Sequence, residues 1–253
     1  MRVLAVIPAR LGATRLPRKP LRLLAGLPLV VRVWQRVVDL DIAATALVAT
    51  DSDEVARVAA DHGVPVVMTD HAHTSGTERI AEVVGMSGYR DYDAIVNVQG
   101  DEPFVSRQAL VGALRIVTDG QHPIGTAAVL ATPDILGDPN VVKVVAGDDG
   151  RALYFSRAPI PYLRSRDDAE LQRAYVWQHI GIYVYTPEAL SRWVRLPANP
   201  LEQIERLEQL RPLAAGMSIG VALVDEPLRP GIDTEQDLER ANREWSAFTT
   251  GSL

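Results

Sequence analysis

Short, uninterrupted apolar runs alternate with amphipathic stretches through the first half of the chain, and this alternation constrains the fold more than any other feature. Val3–Ile7 is the first such run and contains no polar residue, as expected for a strand covered on both faces. The amphipathic stretches carry apolar residues at helical spacing, which is typical of βα units around a parallel sheet. The pattern therefore predicts an α/β fold.

The first half of the chain supplies four of these units. Its predicted strands are Val3–Ile7, Ala46–Thr50, Val64–Met68 and Ala94–Val98. Helices are predicted to begin at Pro28, at Asp51 or Ser52, after Thr77 and at Ser106, positions that suit helix N-termini.

The pattern becomes richer in strands after Gly120. The predicted elements are strands at Thr126–Ala131, Val141–Ala146, Ala152–Phe155, Gly181–Tyr185 and Ile219–Val224, and helices at Pro187–Val194, Pro200–Leu213 and from 231–234 to about Trp245. Gly and Asp at 147–150 favour a β-hairpin. We expect one domain over residues 1–253, with a smaller β-rich insertion at about 126–185.

Composition excludes several classes of protein. The net charge of -6 gives no general attraction for nucleic acid or an anionic membrane surface. The absence of cysteine excludes disulfides and thiolate metal sites. No apolar run approaches the roughly 20 residues that cross a bilayer, and Pro8 interrupts the N-terminal run too early for a signal peptide. These features predict a cytoplasmic protein that binds neither nucleic acid nor membrane.

The loop Pro8–Pro20 directly follows the first predicted strand. It carries the cations Arg10, Arg15, Arg18 and Lys19. Backbone amides combined with guanidinium and ammonium groups suit a triphosphate, and ligands of parallel sheets bind beyond the carboxyl ends of strands. The loop has neither a Walker A sequence nor the dinucleotide glycine fingerprint. A solvated basic loop is the alternative interpretation.

Two acidic segments follow other strands. Asp101 and Glu102 come after the fourth strand, and Asp233 after the last one. Mg²⁺ is usually held by one or two carboxylates together with phosphate oxygens and water. The alternative is that these acids only cap the helices that follow. His71 and His73 lack a third ligand nearby, so they do not predict a metal site of their own. The residues alone therefore predict an α/β protein that binds a phosphorylated ligand with Mg²⁺.

Seven segments, taken together and in order, resemble the 3-deoxy-manno-octulosonate cytidylyltransferases, or CMP-Kdo synthetases. They are Ile7–Arg10 with Thr14–Pro17 and Lys19–Pro20, Ser75–Arg79, Asn97–Pro103, Ala152–Ala158, His179–Tyr183, Leu207–Arg211, and Asp233–Thr234 with Asp237–Glu239. The resemblance implies a Rossmann-like, mostly parallel sheet of the nucleotide-diphospho-sugar transferase type. It also implies transfer of CMP from CTP to the anomeric C2 hydroxyl of Kdo for lipopolysaccharide biosynthesis.

The resemblance also implies roles for individual residues, with Mg²⁺ as cofactor and a homodimer as the assembly. Lys19, Asp101 and Asp233 are expected to be catalytic, and the two aspartates to ligate Mg²⁺. The residues expected to bind CTP are Pro8, Ala9, Arg10, Arg15, Lys19, Ser75, Gly76 and Arg79. The residues expected to line the sugar-acid pocket are Gln99, Arg157, His179, Tyr183, Glu208 and Gln209.

Two positions depart from the family pattern, because Arg18 stands where glycine is usual and Ala13 where serine is common. Arg18 is expected either to add a phosphate contact or to point into solvent. The rival functions are a cytidylyltransferase for sialic acid or for 8-amino-Kdo, a non-catalytic nucleotide-binding module, and a dinucleotide-dependent dehydrogenase. The missing glycine fingerprint disfavours the dehydrogenase.

Overall fold

A computed structural model describes residues 1–12 and 15–250, with side chains through residue 248, and confirms the predicted α/β fold. The strands, in chain order, are β1 Val3–Ala9, β2 Leu23–Leu24, β3 Leu27–Pro28, β4 Thr45–Thr50, β5 Val66–Met68, β6 Ala94–Asn97, β7 Ile124–Leu130, β8 Lys143–Ala146, β9 Ala152–Ser156, β10 Trp177–Tyr185 and β11 Ile219–Val224. The α-helices are α1 Leu29–Asp39, α2 Asp53–Asp61, α3 Gly76–Gly85, α4 Arg107–Thr118, α5 Ala169–Arg173, α6 Pro187–Arg195, α7 Pro200–Glu205, α8 Leu210–Ala214 and α9 Glu235–Thr250.

The chain divides into two compact units, and the first comprises Met1–Val105 and the segment from Arg229 onward. Its sheet is parallel, in the order β6, β1, β4, β5. All seven residues of β1 are buried, which explains why that run contains no polar side chain. The sheet brings the ends of β1 and β6 side by side, and these ends carry the loop Pro8–Pro20 and the acidic segment that begins at Asp101.

Serine side chains begin the helices that follow β4, β5 and β6. The hydroxyl oxygens of Ser52, Ser75 and Ser106 each accept a hydrogen bond from the backbone three residues later. Such caps satisfy amides that have no partner inside the helix. The predicted start of α3 after Thr77 was therefore two residues late.

The second unit comprises Ser106–Leu228 and contains the region 126–185 that the sequence predicts to be β-rich. Within it β7 pairs in parallel with β11 and antiparallel with β10. Strand β8 pairs antiparallel with both β9 and β10, and the β8–β9 pairing confirms the predicted hairpin.

Two predicted elements of the second unit had the wrong extent. The single helix predicted over Pro200–Leu213 is broken into α7 and α8, because Arg206 has a left-handed conformation with φ 55°. Strand β10 begins at Trp177, four residues before the predicted start at Gly181. Its first residues include Gln178 and His179, whose polarity obscured the strand pattern.

Within residues 1–12 and 15–250, no helix is both long enough and apolar enough to cross a membrane.

Gly125 provides a test of the packing of the second unit. A Cβ atom at this position of β7 would lie 2.2 Å from the carbonyl oxygen of Ala113 in α4. We expect Gly125→Ala to lower the free energy of unfolding by about 1–3 kcal/mol, because the strand or the helix must shift. Urea unfolding followed by circular dichroism measures this loss. Gly137→Ala is the control, since a Cβ there meets no atom within 4 Å, and equal unfolding midpoints for the two variants would contradict the prediction.

Candidate active site

The ammonium group of Lys19 lies between two carboxylates in the first unit. Lys19 Nζ donates hydrogen bonds of 2.7 Å to Asp101 Oδ2 and 2.7 Å to Asp233 Oδ1. Burial lowers the pKa of Lys19, but the charges and hydrogen bonds of the two aspartates outweigh burial and leave that pKa raised. Lys19 therefore stays positively charged, and the structure brings all three predicted catalytic residues together.

Main-chain contacts hold the two aspartates in place although 132 positions of the chain separate them. The amide of Ile232 donates a hydrogen bond of 2.9 Å to the carbonyl oxygen of Asp101. A Cβ atom at Gly231 would lie 2.7 Å from Glu102 Oε1 and 3.2 Å from the Asp101 carbonyl oxygen, so glycine suits this close approach. The segment that carries Asp233 is thus attached directly to the segment that carries Asp101.

Neither aspartate is used as a helix cap, which was the alternative left open by the sequence. Helix α4 is capped by Ser106, whose hydroxyl oxygen accepts from the amide of Ala109 at 3.1 Å. At the start of α9, Thr234 Oγ1 accepts from the amide of Asp237 while Asp237 Oδ2 accepts from the amide of Thr234. The carboxylates of Asp101 and Asp233 are therefore directed to Lys19 and not to the helix ends.

Glu102 adds a third acid beside this pair. Burial, reinforced by the charges of Asp101 and Asp233, raises the pKa of Glu102 to about 8, although Lys19 acts in the opposite direction. At neutral pH Glu102 is therefore largely protonated, and the charges of Asp101 and Asp233 are met by Lys19 and Arg15. The carboxylates of Asp101 and Asp233 are oxygen donors of the kind that binds Mg²⁺, which is usually held by one or two carboxylates.

The arginines of the loop lie at the surface of the first unit. Arg15 NH2 forms an ion pair of 3.0 Å with Asp233 Oδ2, and the Arg15 side chain is 62% exposed. Arg10 NH1 donates a hydrogen bond of 3.4 Å to the carbonyl oxygen of Thr74.

Pro8 and Ala9 end strand β1, and a Cβ atom at Gly100 would lie 2.8 Å from the Pro8 carbonyl oxygen. Ala13 and Thr14 lie outside the described residues.

The predicted nucleotide residues Ser75, Gly76 and Arg79 lie at the start of α3. Ser75 Oγ accepts a hydrogen bond of 3.2 Å from the amide of Glu78, so its hydroxyl proton is still available to a ligand. A Cβ atom at Gly76 would lie 3.0 Å from Pro8 Cγ and 3.7 Å from Gln99 Oε1, which places the helix start against the β1 and β6 loops. The backbone amides at the start of α3, the Ser75 hydroxyl and the Gln99 side-chain amide are therefore close together.

Arg79 differs from the other predicted nucleotide residues because its guanidinium is held inside the protein. Its side chain is 2% exposed, and its NH2 group lies 2.9 Å from Asp51 Oδ2. It also donates to the hydroxyl of Thr69. Asp51 was interpreted from the sequence only as a helix cap, and its position at the carboxyl end of β4 was the signal that it had another use.

His179, Tyr183 and Glu208 come together in the second unit. The ring centroids of His179 and Tyr183 are 5.5 Å apart. Burial, together with the nearby Tyr185 and Glu208, raises the pKa of the Tyr183 hydroxyl well above its ordinary value. Among the described residues this buried hydroxyl has no hydrogen-bond partner, whereas nearly all buried polar groups in proteins have one. Such a hydroxyl is suited to a ligand oxygen.

Arg157, by contrast, is engaged with backbone carbonyl groups. Its Nε donates to Glu205 O at 2.8 Å and its NH1 donates to Pro139 O at 2.8 Å. The Glu205 carboxylate accepts hydrogen bonds from the Ser156 hydroxyl and the Arg157 amide. Sequence reasoning missed Glu205, and the expected role of Arg157 in the sugar-acid pocket stays a prediction. Gln209 is buried one residue beyond Glu208.

Comparison with known proteins gives consistent matches along almost the whole chain. A family model described as cytidylyltransferase matches residues 4–219. The 3-deoxy-manno-octulosonate cytidylyltransferase of Gemmatimonas aurantiaca is 61% identical over 248 residues, covering 98% of this chain and 96% of that protein. The protein of the same name from Polynucleobacter asymbioticus is 44% identical over 244 residues, covering 95% and 94%. A solved CMP:2-keto-3-deoxy-manno-octonic acid synthetase complexed with CTP has a TM-score of 0.89 at 35% identity, covering 98% and 99%.

The buried imidazole of His179 predicts a specific sensitivity to acid. Burial lowers the pKa of His179 to about 3 from an ordinary 6.5. Because the folded-state pKa is depressed, the associated stability is present above pH 6.5 and is lost as the pH falls toward 3, while the unfolded chain takes up the proton. We expect the wild type to lose about 2 kcal/mol more than His179→Gln between about pH 7.5 and about pH 4.5.

Urea unfolding at the two pH values measures this difference, and His62→Gln, at an exposed histidine outside both site clusters, is the control. An identical acid sensitivity in all three proteins would contradict the prediction.

Proposed function

The chain belongs to the 3-deoxy-manno-octulosonate cytidylyltransferase family, and on that basis we propose that it transfers CMP from CTP to the anomeric C2 hydroxyl of Kdo, releasing pyrophosphate. The observation that carries this function is the 61% identity to a protein of that name over 98% of the chain. The product, CMP-Kdo, would serve lipopolysaccharide biosynthesis. The cations and paired acids of the first unit suit a reaction of this type.

The oxygen donors of Asp101 and Asp233 fit a Mg²⁺ ion. Both carboxylates already share one cation, the Lys19 ammonium group, with 2.7 Å contacts to each. Mg²⁺ prefers carboxylate oxygens and completes its coordination with water and phosphate oxygens, which this half-exposed pair permits. When bound, Mg²⁺ supplies positive charge that stabilises the transition state of phosphoryl-group transfer.

The cations of the loop bind the triphosphate. Lys19 is the least exposed of them and is held next to both aspartates, so it is placed at the centre of negative charge. Arg10 and Arg15 have more exposed side chains, and Arg15 is free to exchange its ion pair with Asp233 for phosphate oxygens. Guanidinium groups bind phosphate in bidentate fashion, and such contacts neutralise the leaving pyrophosphate.

The second unit supplies residues for the sugar acid. The buried Tyr183 hydroxyl stays protonated because its pKa is raised, so it can donate to an oxygen of the sugar. His179 stays neutral at physiological pH because its pKa is lowered to about 3. Glu208, which lies close enough to raise the pKa of Tyr183, adds an acceptor, and we assign the adjacent Gln209 to the same pocket by the resemblance to the family. These neutral and hydrogen-bonding groups are suited to hydroxyl groups of a polyol acid.

In the reaction, the C2 hydroxyl loses its proton to solvent and its oxygen forms a bond to the α-phosphorus of CTP, while the bond from that phosphorus to the bridging oxygen breaks. Pyrophosphate leaves with the negative charge that Lys19, Arg10 and Arg15 bind. Catalysis of this kind consists mainly of positioning and electrostatic stabilisation, and the site is built for both.

We also propose that the protein acts in the cytoplasm as a homodimer. The absence of cysteine is compatible with a reducing compartment, and the homodimer is proposed by analogy with the family.

Release of pyrophosphate from CTP and Mg²⁺ with a panel of sugar acids tests the function. We expect turnover with Kdo and far less with sialic acid, and the same panel distinguishes Kdo from 8-amino-Kdo. Absence of turnover with every octulosonic acid would overturn the proposal. A parallel assay with ATP in place of CTP tests the specificity for the cytosine base.

Asp101→Asn should reduce turnover by about 10²–10³-fold, since it removes one carboxylate of the paired acids and weakens the placement of Lys19. Pyrophosphate release at saturating CTP and Kdo measures the loss, while circular dichroism checks the fold. The matched control is Asp93→Asn, because Asp93 is exposed and precedes β6 at the opposite end from Asp101. Near-normal turnover of Asp101→Asn would contradict both the metal assignment and the catalytic role.

A further inference from the structure

The Thr126 hydroxyl lies at an irregularity in the pairing of β7 with β10. Thr126 of β7 is opposite Tyr183, whereas the next residue, Ala127, is opposite Ile180. One step along β7 therefore corresponds to three steps along β10, so β10 bulges between Ile180 and Tyr183. The bulge lies between His179 and Tyr183 and brings their rings to a centroid distance of 5.5 Å.

The fully buried Thr126 side chain bridges this bulge. Its Oγ1 lies 2.7 Å from the carbonyl oxygen of Ile182 and 2.9 Å from Nε2 of His179. A hydroxyl has one proton, and a carbonyl oxygen can only accept. The proton of Thr126 must therefore lie on the short bond to Ile182, because two oxygens at that distance would otherwise repel each other.

This assignment determines the tautomer of His179. Since the proton of Thr126 is used by Ile182, the bond between Thr126 Oγ1 and His179 Nε2 requires a proton on Nε2. A neutral imidazole carries only one ring proton, so Nδ1 has a free lone pair. Burial lowers the pKa of His179 to about 3, which agrees with a neutral ring. Within the described part of the chain, His179 Nδ1 has no protein hydrogen-bond partner.

We propose that Thr126 is a positioning residue for the sugar-acid site, holding His179 as the Nε2–H tautomer so that Nδ1 accepts a hydrogen bond from a hydroxyl of the sugar acid. This inference rests on the proposed function, which places a sugar acid at His179 and Tyr183. The Tyr183 hydroxyl, buried without a partner among the described residues, provides the adjacent donor. The two rings thus present one acceptor and one donor to a polyhydroxylated ligand.

A purely structural role for Thr126 has a different consequence. In that case its hydroxyl only satisfies the carbonyl groups of the bulge, and its loss lowers stability without changing the protonation site of His179. The tautomer therefore separates the two roles, because it is a property of the free protein that needs no substrate and no turnover.

The test uses the full chain labelled with ¹⁵N-histidine and compares the wild type, Thr126→Val and Thr126→Ser. The chain has five histidines, and the His179 signal is the one missing from His179→Gln. We expect an Nε2–H tautomer in the wild type and in Thr126→Ser, and a mixture with Nδ1–H in Thr126→Val. An Nδ1–H tautomer in the wild type, or an unchanged tautomer in Thr126→Val, would overturn the proposal.

Kinetics provide the second measurement. Thr126→Val should raise KM for Kdo by about tenfold, the effect of losing roughly one hydrogen bond, and leave KM for CTP unchanged, while Thr126→Ser should stay near the wild type. Thr45→Val is the matched control, because it removes a strand threonine hydroxyl that bonds Tyr92 in the first unit. Equal KM values for Kdo in Thr126→Val and Thr45→Val would overturn the proposal.

The two proposals can fail separately. If the wild type turns over no sugar acid, the proposed function fails, and the wild-type tautomer still tests the role of Thr126. If Thr126→Val does not fold, the comparison of wild type with Thr126→Ser retains the test, since loss of the Nε2–H tautomer in Thr126→Ser would count against the inference.

Discussion

The convergence of Asp101 and Asp233 on Lys19 is the interaction on which the candidate active site depends. Both aspartates contact one nitrogen atom, so their oxygens are separated by no more than about twice a hydrogen-bond length. Like charges about 4 Å apart near a protein surface repel by about 4 kcal/mol, and the cations Lys19 and Arg15 offset this repulsion. Burial, reinforced by the charges of the two aspartates, raises the pKa of Glu102 to about 8. Phosphate groups would add negative charge beside the two carboxylates, so their binding favours a further cation at this site.

The rest of the first unit holds Asp101 and Asp233 next to Lys19 despite the repulsion between the two carboxylates. The hydrogen bond from the Ile232 amide to the Asp101 carbonyl oxygen, together with the close approach at Gly231, fixes the backbone that carries Asp233 against the backbone that carries Asp101. Helix α9 then anchors the Asp233 segment. The guanidinium of Arg32 lies 4.9 Å from the ring centroid of Trp245 in α9. Cation–π contacts of this kind, together with the apolar area of the aromatic rings, supply stabilisation that offsets electrostatic repulsion elsewhere.

Much of this arrangement was predictable, because it follows from local rules. Buried strands gave continuous apolar runs, serines marked helix starts, and the acids and cations of interest followed strand ends. The side-chain partners were not predictable, since they depend on distant contacts: Arg79 pairs with Asp51, and Arg157 bonds to carbonyl groups. The break at Arg206 is similar, because no local signal distinguishes it from a helical arginine. The residues of the sugar-acid pocket, and Ser75, Gly76 and Arg79, came only from the resemblance to a family. The role of Thr126 became visible only through the register of β10.

Position 18 shows how backbone conformation separates two interpretations of one residue. Arg18 has φ 59°, a left-handed conformation that costs a non-glycine residue about 1–2 kcal/mol and glycine almost nothing. The left-handed turn before Lys19 is therefore sufficient to explain why glycine is usual at this position in the family. Arginine at this position pairs with Glu54 of α2, so its guanidinium is directed to a helix of the same unit. That ion pair is exposed and offsets only part of the conformational cost. The Arg18 side chain is 57% exposed and pairs with Glu54, so it lies at the solvent-facing surface, which was one of the two expectations from the sequence. We therefore assign the phosphate-binding charge of the loop to Arg10, Arg15 and Lys19.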